Sequence, residues 1–255
     1  MAHITSFHVE KLWGDKQIQW DDIHPDVNIL VGINGSFKTT LLRLMYEHYA
    51  GLSALRKKTG CVIISDPEGP LPGTPLVYVD SIDVPARDKR SNKSALFQEL
   101  RHVVVQNDEG ISFFNYRMRI LDRPEEKERV ERRLQVLYHA INAFFEDTGK
   151  TITLTPRGTL GFLDQNEKLI TLEQLSAGEK QILLILLKVF LLDEQDSIVF
   201  LDEPELAMHI RWQRQLIDKL RVLNPQAQLI ITTHSPSVFS QGWGDKAVYM
   251  DQIIR

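Results

Sequence analysis

Gly32-Ile33-Asn34-Gly35-Ser36-Phe37-Lys38-Thr39-Thr40 stands between a short apolar run, Val27 to Val31, and a helical period carried by Leu41, Leu42, Leu44 and Met45. Strand, glycine-bearing turn and helix, in that order, is the context a phosphate-binding loop requires. Small residues let backbone N–H groups wrap a phosphate at a helix start, a lysine bridges the outer phosphates, and a hydroxyl holds Mg²⁺. The spacing from Gly32 to Lys38-Thr39 fits G-x-x-x-x-G-K-[ST] at every place but the sixth, where Phe37 replaces glycine. Glycine there permits a backbone geometry and a close approach that a bulky side chain resists. Taken alone, the stretch leaves open a strand–turn–helix with an incidental Lys-Thr.

Three stretches downstream bear on that choice. Ile198-Val199-Phe200-Leu201-Asp202-Glu203-Pro204 is an apolar strand ending in two carboxylates, which suits one to a Mg²⁺ shell and the other to an attacking water. Leu175-Ser176-Ala177-Gly178-Glu179-Lys180-Gln181 opens a helix with small residues and free N–H groups, an anion site suited to a γ-phosphate. Ser-Ala-Gly-Glu is also a good helix cap and nothing more. Ile231-Thr232-Thr233-His234-Ser235 puts a histidine just past a core strand, where a lone histidine is more often structural. Each has a bland reading by itself. All four occur in the order a nucleotide site requires, and chance is a poor account of the set.

Outward from these motifs the chain reads as three parts, 1–80, 81–150 and 151–255. The first holds a hairpin around Gly14-Asp15, from Ile4 to Glu10 and Lys16 to Trp20, then the loop and helix, then strands from Cys61 to Ser65 and Leu76 to Ile82. The second is helical, with Ser94 to Val105 and Pro124 to Asp147 as its helices. Its run Glu125 to Arg133 alternates acid and base, the pattern of a solvated helix face. The third returns to strands at Thr151 to Leu154 and Leu160 to Leu163. It continues with a helix over Gly178 to Leu192, a strand over Ser197 to Leu201, a helix over Leu206 to Leu223 and a strand over Gln228 to Thr232.

Bulk properties narrow the function classes. With 255 residues the chain buries one substantial core or one core with an inserted lobe, and its 43% hydrophobic and 25% charged content excludes disorder. The net charge of −4 argues against a surface devoted to nucleic acid, though a local basic groove stays open. Such a groove needs Arg56, Lys57, Lys58, Arg87, Lys89, Arg90 and Lys93 to converge. Cys61 is the only cysteine, which excludes a disulfide framework and a cysteine zinc site and fits a reducing, cytoplasmic compartment. The most apolar stretch, Ile182 to Leu192, is interrupted by Lys188 and falls short of the roughly 20 residues of a membrane span.

Taken as a set, the motifs resemble the ABC ATPase superfamily over most of the chain, from Gly32 to Ser235. The signature form Leu-Ser-Ala-Gly-Glu-Lys-Gln and the continuation Glu203-Pro204-Glu205-Leu206-Ala207-Met208-His209 are similar to the RecF, SMC and OLD-like branch rather than to transporter cassettes. The resemblance implies an α/β P-loop NTPase of ABC-ATPase type: a central, mostly parallel sheet, an antiparallel β subdomain and an inserted helical lobe. Residues 1–80 and 151–255 would then form the ATPase core, with 81–150 as the lobe.

It also implies ATP and Mg²⁺ as cofactors and roles residue by residue. Gly32, Asn34, Gly35, Ser36, Lys38, Thr39 and Thr40 would hold the phosphates, Lys38 meeting the β- and γ-phosphates. Thr39 and Asp202 would hold Mg²⁺, Glu203 would polarise the attacking water, and His234 would sense the γ-phosphate. Ser176 and Gly178 would reach the nucleotide of a second copy, in a head-to-tail homodimer or higher oligomer. His209 would lie near that seam, and Trp13 or Trp20 would flank the adenine unless they are core aromatics.

No membrane partner is implied. A separate effector protein, such as a nuclease or toxin, is expected, because the chain stops about 20 residues beyond His234 where OLD-type proteins continue into a nuclease. About 70 residues of lobe cannot make an SMC-like arm. The usual glutamine ahead of the lobe is not identifiable; Gln98 and Gln106 lie too far into helical sequence. Small members of this branch are similar to ATPase components of bacterial anti-phage systems. The competing readings are a non-hydrolysing, nucleotide-binding or nucleotide-free scaffold, suggested by Phe37, and a transporter cassette, which the Glu-Pro-Glu-Leu continuation disfavours.

Overall fold

Val27 to Val31 are buried at every position, and so are the strands ending at Asp202 and Thr233. Strands apolar on both faces need a cover on each side, the demand of a parallel sheet between two layers. The computed structural model describes residues 3–81, 94–105, 112–156 and 158–255. In chain order the elements are β1 (Ser6–Leu12), β2 (Lys16–Trp20), β3 (Val27–Val31), α1 (Lys38–Tyr49), α2 (Ala54–Thr59), β4 (Val62–Asp66) and β5 (Leu76–Val79). Three helices follow, α3 (Ala95–Val105), α4 (Phe113–Asp122) and α5 (Lys127–Phe145). The chain continues with β6 (Thr151–Leu154), β7 (Leu160–Leu163), β8 (Leu169–Ile170), α6 (Ala177–Phe190), β9 (Ser197–Asp202), α7 (Ile210–Leu223), β10 (Ala227–Thr233), β11 (Ala247–Tyr249) and α8 (Met250–Ile253).

The central sheet has the order β11-β3-β10-β9-β5 with every pair parallel. Side chains alternate between two cores, as a period of two dictates. Val27, Ile29, Val31, Val199, Leu201, Leu229 and Ile231 face a core shared with α3 to α7. Leu30, Ile198, Phe200 and Ile230 face the other, built with α1 and the three-stranded antiparallel sheet β2-β1-β4. A second antiparallel sheet, β6-β7-β8, adds Leu160 and Phe162 to the first core. The expected architecture of parallel centre, antiparallel β portion and helices is therefore present.

Two readings need correction. The helix expected from Leu206 begins at Ile210, because Ala207 sits at φ 64° and His209 is extended at φ −63°, ψ 147°. A left-handed residue cannot continue a right-handed helix. The acid–base run on α5 is not merely solvated. Arg129 and Arg133 turn onto Asp193 and Glu194 at the end of α6, and Arg133 is 5% exposed. Arg87, Lys89, Arg90, Lys93 and Gln106 lie outside the described residues, while Arg56, Lys57 and Lys58 are exposed on α2. Among the described residues no helix is long and apolar enough to cross a membrane.

Candidate nucleotide-binding site

Strands β3, β10 and β9 are neighbours, with Thr233 level with Val31 and Thr232 level with Asp202. Their carboxyl ends therefore deliver Gly32, His234 and Glu203 to one edge of the sheet, where open α/β folds bind ligands. The loop after β3 is tightly wound. A Cβ on Gly32 would lie 2.5 Å from Ser36 Oγ and 3.1 Å from Met250, and Gly35 sits at φ 79°. Phe37 sits at φ 67°, ψ 12°, the left-handed conformation for which glycine is the usual residue. That conformation costs a side-chain-bearing residue about 1–2 kcal/mol.

The Phe37 ring packs against the second core and on Trp13, with centroids 5.4 Å apart at 40°. Trp13, half exposed in the β1–β2 turn, lines the same cleft as Asn34 to Thr40 and Glu203. Trp20 is a core residue, 2% exposed. Only the first of the two tryptophans is at the site. Helix α1 then starts at Lys38 with neither a side-chain cap nor an acidic residue in its first turn. Its leading N–H groups are left for an anion.

Lys38 is buried and donates through Nζ to the carbonyls of Gly32 (2.9 Å) and Ile33 (3.1 Å). Its third neighbour is Glu203 Oε1 at 3.3 Å. The Thr39 hydroxyl donates to Asp202 Oδ1 at 3.0 Å, and the Thr232 hydroxyl donates to the same oxygen at 2.6 Å. Glu203 turns out of the strand at φ 43°, its N–H held by the Thr232 carbonyl and hydroxyl. His234 Nδ1 lies between two carboxylates, 3.7 Å from Glu203 Oε2 and 3.5 Å from Glu205 Oε1. Burial pushes the Asp202 carboxyl up despite its bonds from Thr232 and Thr39, and burial also pushes Glu205 up despite donation from Thr233.

The donor set fits Mg²⁺. Asp202 Oδ2 is buried without a hydrogen-bond partner, beside the Thr39 hydroxyl. Among the described residues no cluster of three His, Cys, Asp or Glu forms a protein cage. One carboxylate and one hydroxyl, completed by water and phosphate oxygens, suit a small cation that keeps much of its hydration.

Ser176 and Gly178 are not in this cleft. Ser176 caps α6, accepting from Glu179 N while Glu179 accepts from Ser176 N, and Glu179 is tied in turn to Lys150. A Cβ on Gly178 would lie 2.2 Å from the Ala207 carbonyl oxygen, so the start of α6 and the segment after Glu203 touch. Ser176 lines a second cleft with His209, Arg211 and Asp147. The structure brings Lys38, Thr39, Asp202, Glu203 and His234 together and leaves the Ser176 helix start on other ground.

A profile of the AAA_21 family, described as AAA domain, putative AbiEii toxin, Type IV TA system, matches residues 77–240. The chain belongs to the AAA_21 family. The match takes in the Ser176 helix, Asp202, Glu203 and His234, while the Lys38 loop precedes it. The AAA_21 chain is 25% identical over 181 residues to a retron Vc95 probable ATPase of Vibrio cholerae serotype O1 biovar El Tor, covering 64% of this chain and 35% of that protein. It is 29% identical over 133 residues to a retron Ec83 probable ATPase of Escherichia coli, covering 41% of this chain and 24% of that protein. The chain thus spans about a third or less of the length of these relatives.

In fold it is similar to an SMC head bound to the C-terminal winged-helix domain of ScpA, with TM-score 0.58, 12% identity, and 93% and 91% of the two chains covered. The SMC head domain from Thermotoga maritima gives 0.51 at 13% identity, again over 93% and 91%. This is the SMC-head, ABC-type fold. Sequence reasoning missed Thr232, Thr233 and Glu205 as neighbours in this candidate site. The Thr-Thr pair at the end of β10 was the available signal, and its meaning depends on strand register.

Proposed function

We propose that this AAA_21 domain binds MgATP in the Lys38 cleft and hydrolyses it where two copies meet head to tail. The observation that carries the reading is the pairing across neighbouring strand ends, Lys38 with Glu203 and Thr39 with Asp202. Lys38 already has its ammonium at the loop, held by carbonyls it exchanges for the outer phosphates, and the uncapped start of α1 supplies backbone donors. When Lys38 turns to phosphate, Glu203 is released to orient a water and accept its proton. His234 donates to the terminal phosphate. Thr39 and Asp202 would hold Mg²⁺, which would neutralise charge on the phosphate oxygens. Trp13, beside Phe37 at the cleft mouth, offers its ring to the adenine.

Ser176 and the N–H groups of α6 complete the site of the second copy, since they line a cleft apart from their own Lys38. ATP-dependent pairing then controls a separate effector, a nuclease or toxin, or a nucleic-acid-processing complex, in anti-phage defence. The retron probable ATPases among the relatives support that wider setting.

The test is ATP binding and turnover with Mg²⁺ for the natural chain and Glu203→Gln. Turnover that falls by about 100-fold or more in the variant, with binding kept, is the expected result. Tight binding without turnover in the natural chain would replace the reading with an ATP-held scaffold. No binding would mean that Phe37 closes the site.

A further inference from the structure

We infer that Glu205 is a positioning residue that holds His234 from behind and fixes which ring nitrogen meets the terminal phosphate. The inference rests on the ATP-site reading above. Glu205 follows Glu203 and Pro204 in a tight turn closed by Leu206 N to the Glu203 carbonyl and Met208 N to the Glu205 carbonyl. That turn returns the side chain to the sheet, where it is 3% exposed. Oε1 accepts from the Thr233 hydroxyl at 2.5 Å and from the His234 backbone N–H at 3.1 Å, and lies 3.5 Å from His234 Nδ1. One oxygen thus gathers the strand end, the peptide and the ring of the histidine.

The chemistry needs a carboxylate rather than another polar group. Two donors, the Thr233 hydroxyl and the His234 backbone N–H, meet at Oε1 with the ring Nδ1 3.5 Å away, and an ionised carboxylate is acceptor-only. The partner of one imidazole nitrogen decides where the ring proton sits. With Glu205 accepting from Nδ1–H, Nε2 is the nitrogen left for phosphate, and it donates there when the ring carries a proton on both nitrogens. Glu203 Oε2, 3.7 Å from the same Nδ1, competes for the ring. Once Glu203 engages water, Glu205 alone keeps His234 in register. Glu205 Oε2 is buried with no hydrogen-bond partner, a cost that packing alone does not call for and that a functional demand on the carboxylate explains.

Two measurements test this. Long-range proton–nitrogen spectra of the histidine rings, without nucleotide, should show Nδ1 of His234 as the protonated nitrogen, the signal being assigned by its loss in His234→Gln. In Glu205→Gln, whose uncharged amide oxygen still serves Thr233 and the His234 N–H but is a weaker acceptor for the ring N–H, that preference should weaken measurably. Unchanged ring signals would overturn the inference whatever the protein does with ATP. In turnover assays Glu205→Gln should lower kcat by about 10- to 100-fold with KM unchanged, the usual loss when an orienting partner is removed. It should cost nothing further on a His234→Ala background. Additive losses there would mean that Glu205 does not act through His234. Absence of turnover in the natural chain would remove the ATPase reading and leave the spectra to decide the role of Glu205.

Discussion

At Phe37 a cost and a gain meet in a single residue. The left-handed backbone at φ 67° is strained by about 1–2 kcal/mol, and the ring recovers part of this through its contact with Trp13, worth about 0.5–1.5 kcal/mol. Phe37→Gly removes both together, so its unfolding free energy should stay within about 1 kcal/mol of the natural chain. Because the ring packs on Trp13 and the core beneath the hairpin, ATP affinity by calorimetric titration should change by less than about threefold, under the 1.4 kcal/mol of a tenfold step. A tenfold gain would show that the ring obstructs phosphate. Residue by residue, Lys38, Thr39, Asp202, Glu203 and His234 were legible because a phosphate site fixes their types and order. Thr232 was not. Threonine is an ordinary strand residue, and only the β9–β10 register, with Thr232 opposite Asp202, gives its hydroxyl a task.

At the scale of elements, one carboxylate fastens α4 and α5 to the end of α6. Asp193 accepts from the Tyr116 hydroxyl, Arg119 and Arg129, each at about 3 Å, and its side chain is 11% exposed. Burial pushes the Asp193 carboxyl up, and the bonds from Arg119, Tyr116 and Arg129 outweigh it, so the folded pKa lies below the ordinary value. The stability it contributes is present above the unfolded pKa of about 3.9 and is lost as pH falls through the lower folded one. Asp193→Asn should cost about 2 kcal/mol near neutral pH, less than a fully buried pair because Arg119 and Arg129 reach solvent. Its unfolding free energy, followed by denaturant titration, should then depend less on pH below about 4 than that of the natural chain. An unaltered acid limb would contradict the assignment. This staple was not legible, since an alternating run such as Glu125 to Arg133 looks solvated until the helix packing is known. Strands β3, β9 and β10 were legible as apolar runs buried on both faces. The helix α4 and the short β8, β11 and α8 were not. A three-residue strand such as Ala247–Tyr249 carries no period of its own and exists through its pairing with β3.

Over the whole molecule, the two halves of the proposed chemistry stand on different ground. Lys38, Thr39, Asp202 and Glu203 share one cleft, and Ser176 lines another with His209 and Arg211. The sequence motifs could be ordered along the chain but not assigned to separate surfaces, because that separation comes from where α6 begins relative to the carboxyl edge of the sheet. If each site needs both surfaces, two copies must exchange them, and a two-fold pair makes both exchanges at once. Complementation tests this directly. Lys38→Ala lacks its own phosphate site and keeps Ser176, whereas Ser176→Arg keeps Lys38 and blocks the helix start. Each alone should be inactive toward MgATP. Mixed in equal amounts they should recover up to about a quarter of natural turnover, since half of random pairs are mixed and each then holds one intact site of two. Full activity of Ser176→Arg alone, or no recovery on mixing two folded variants, would contradict the shared site.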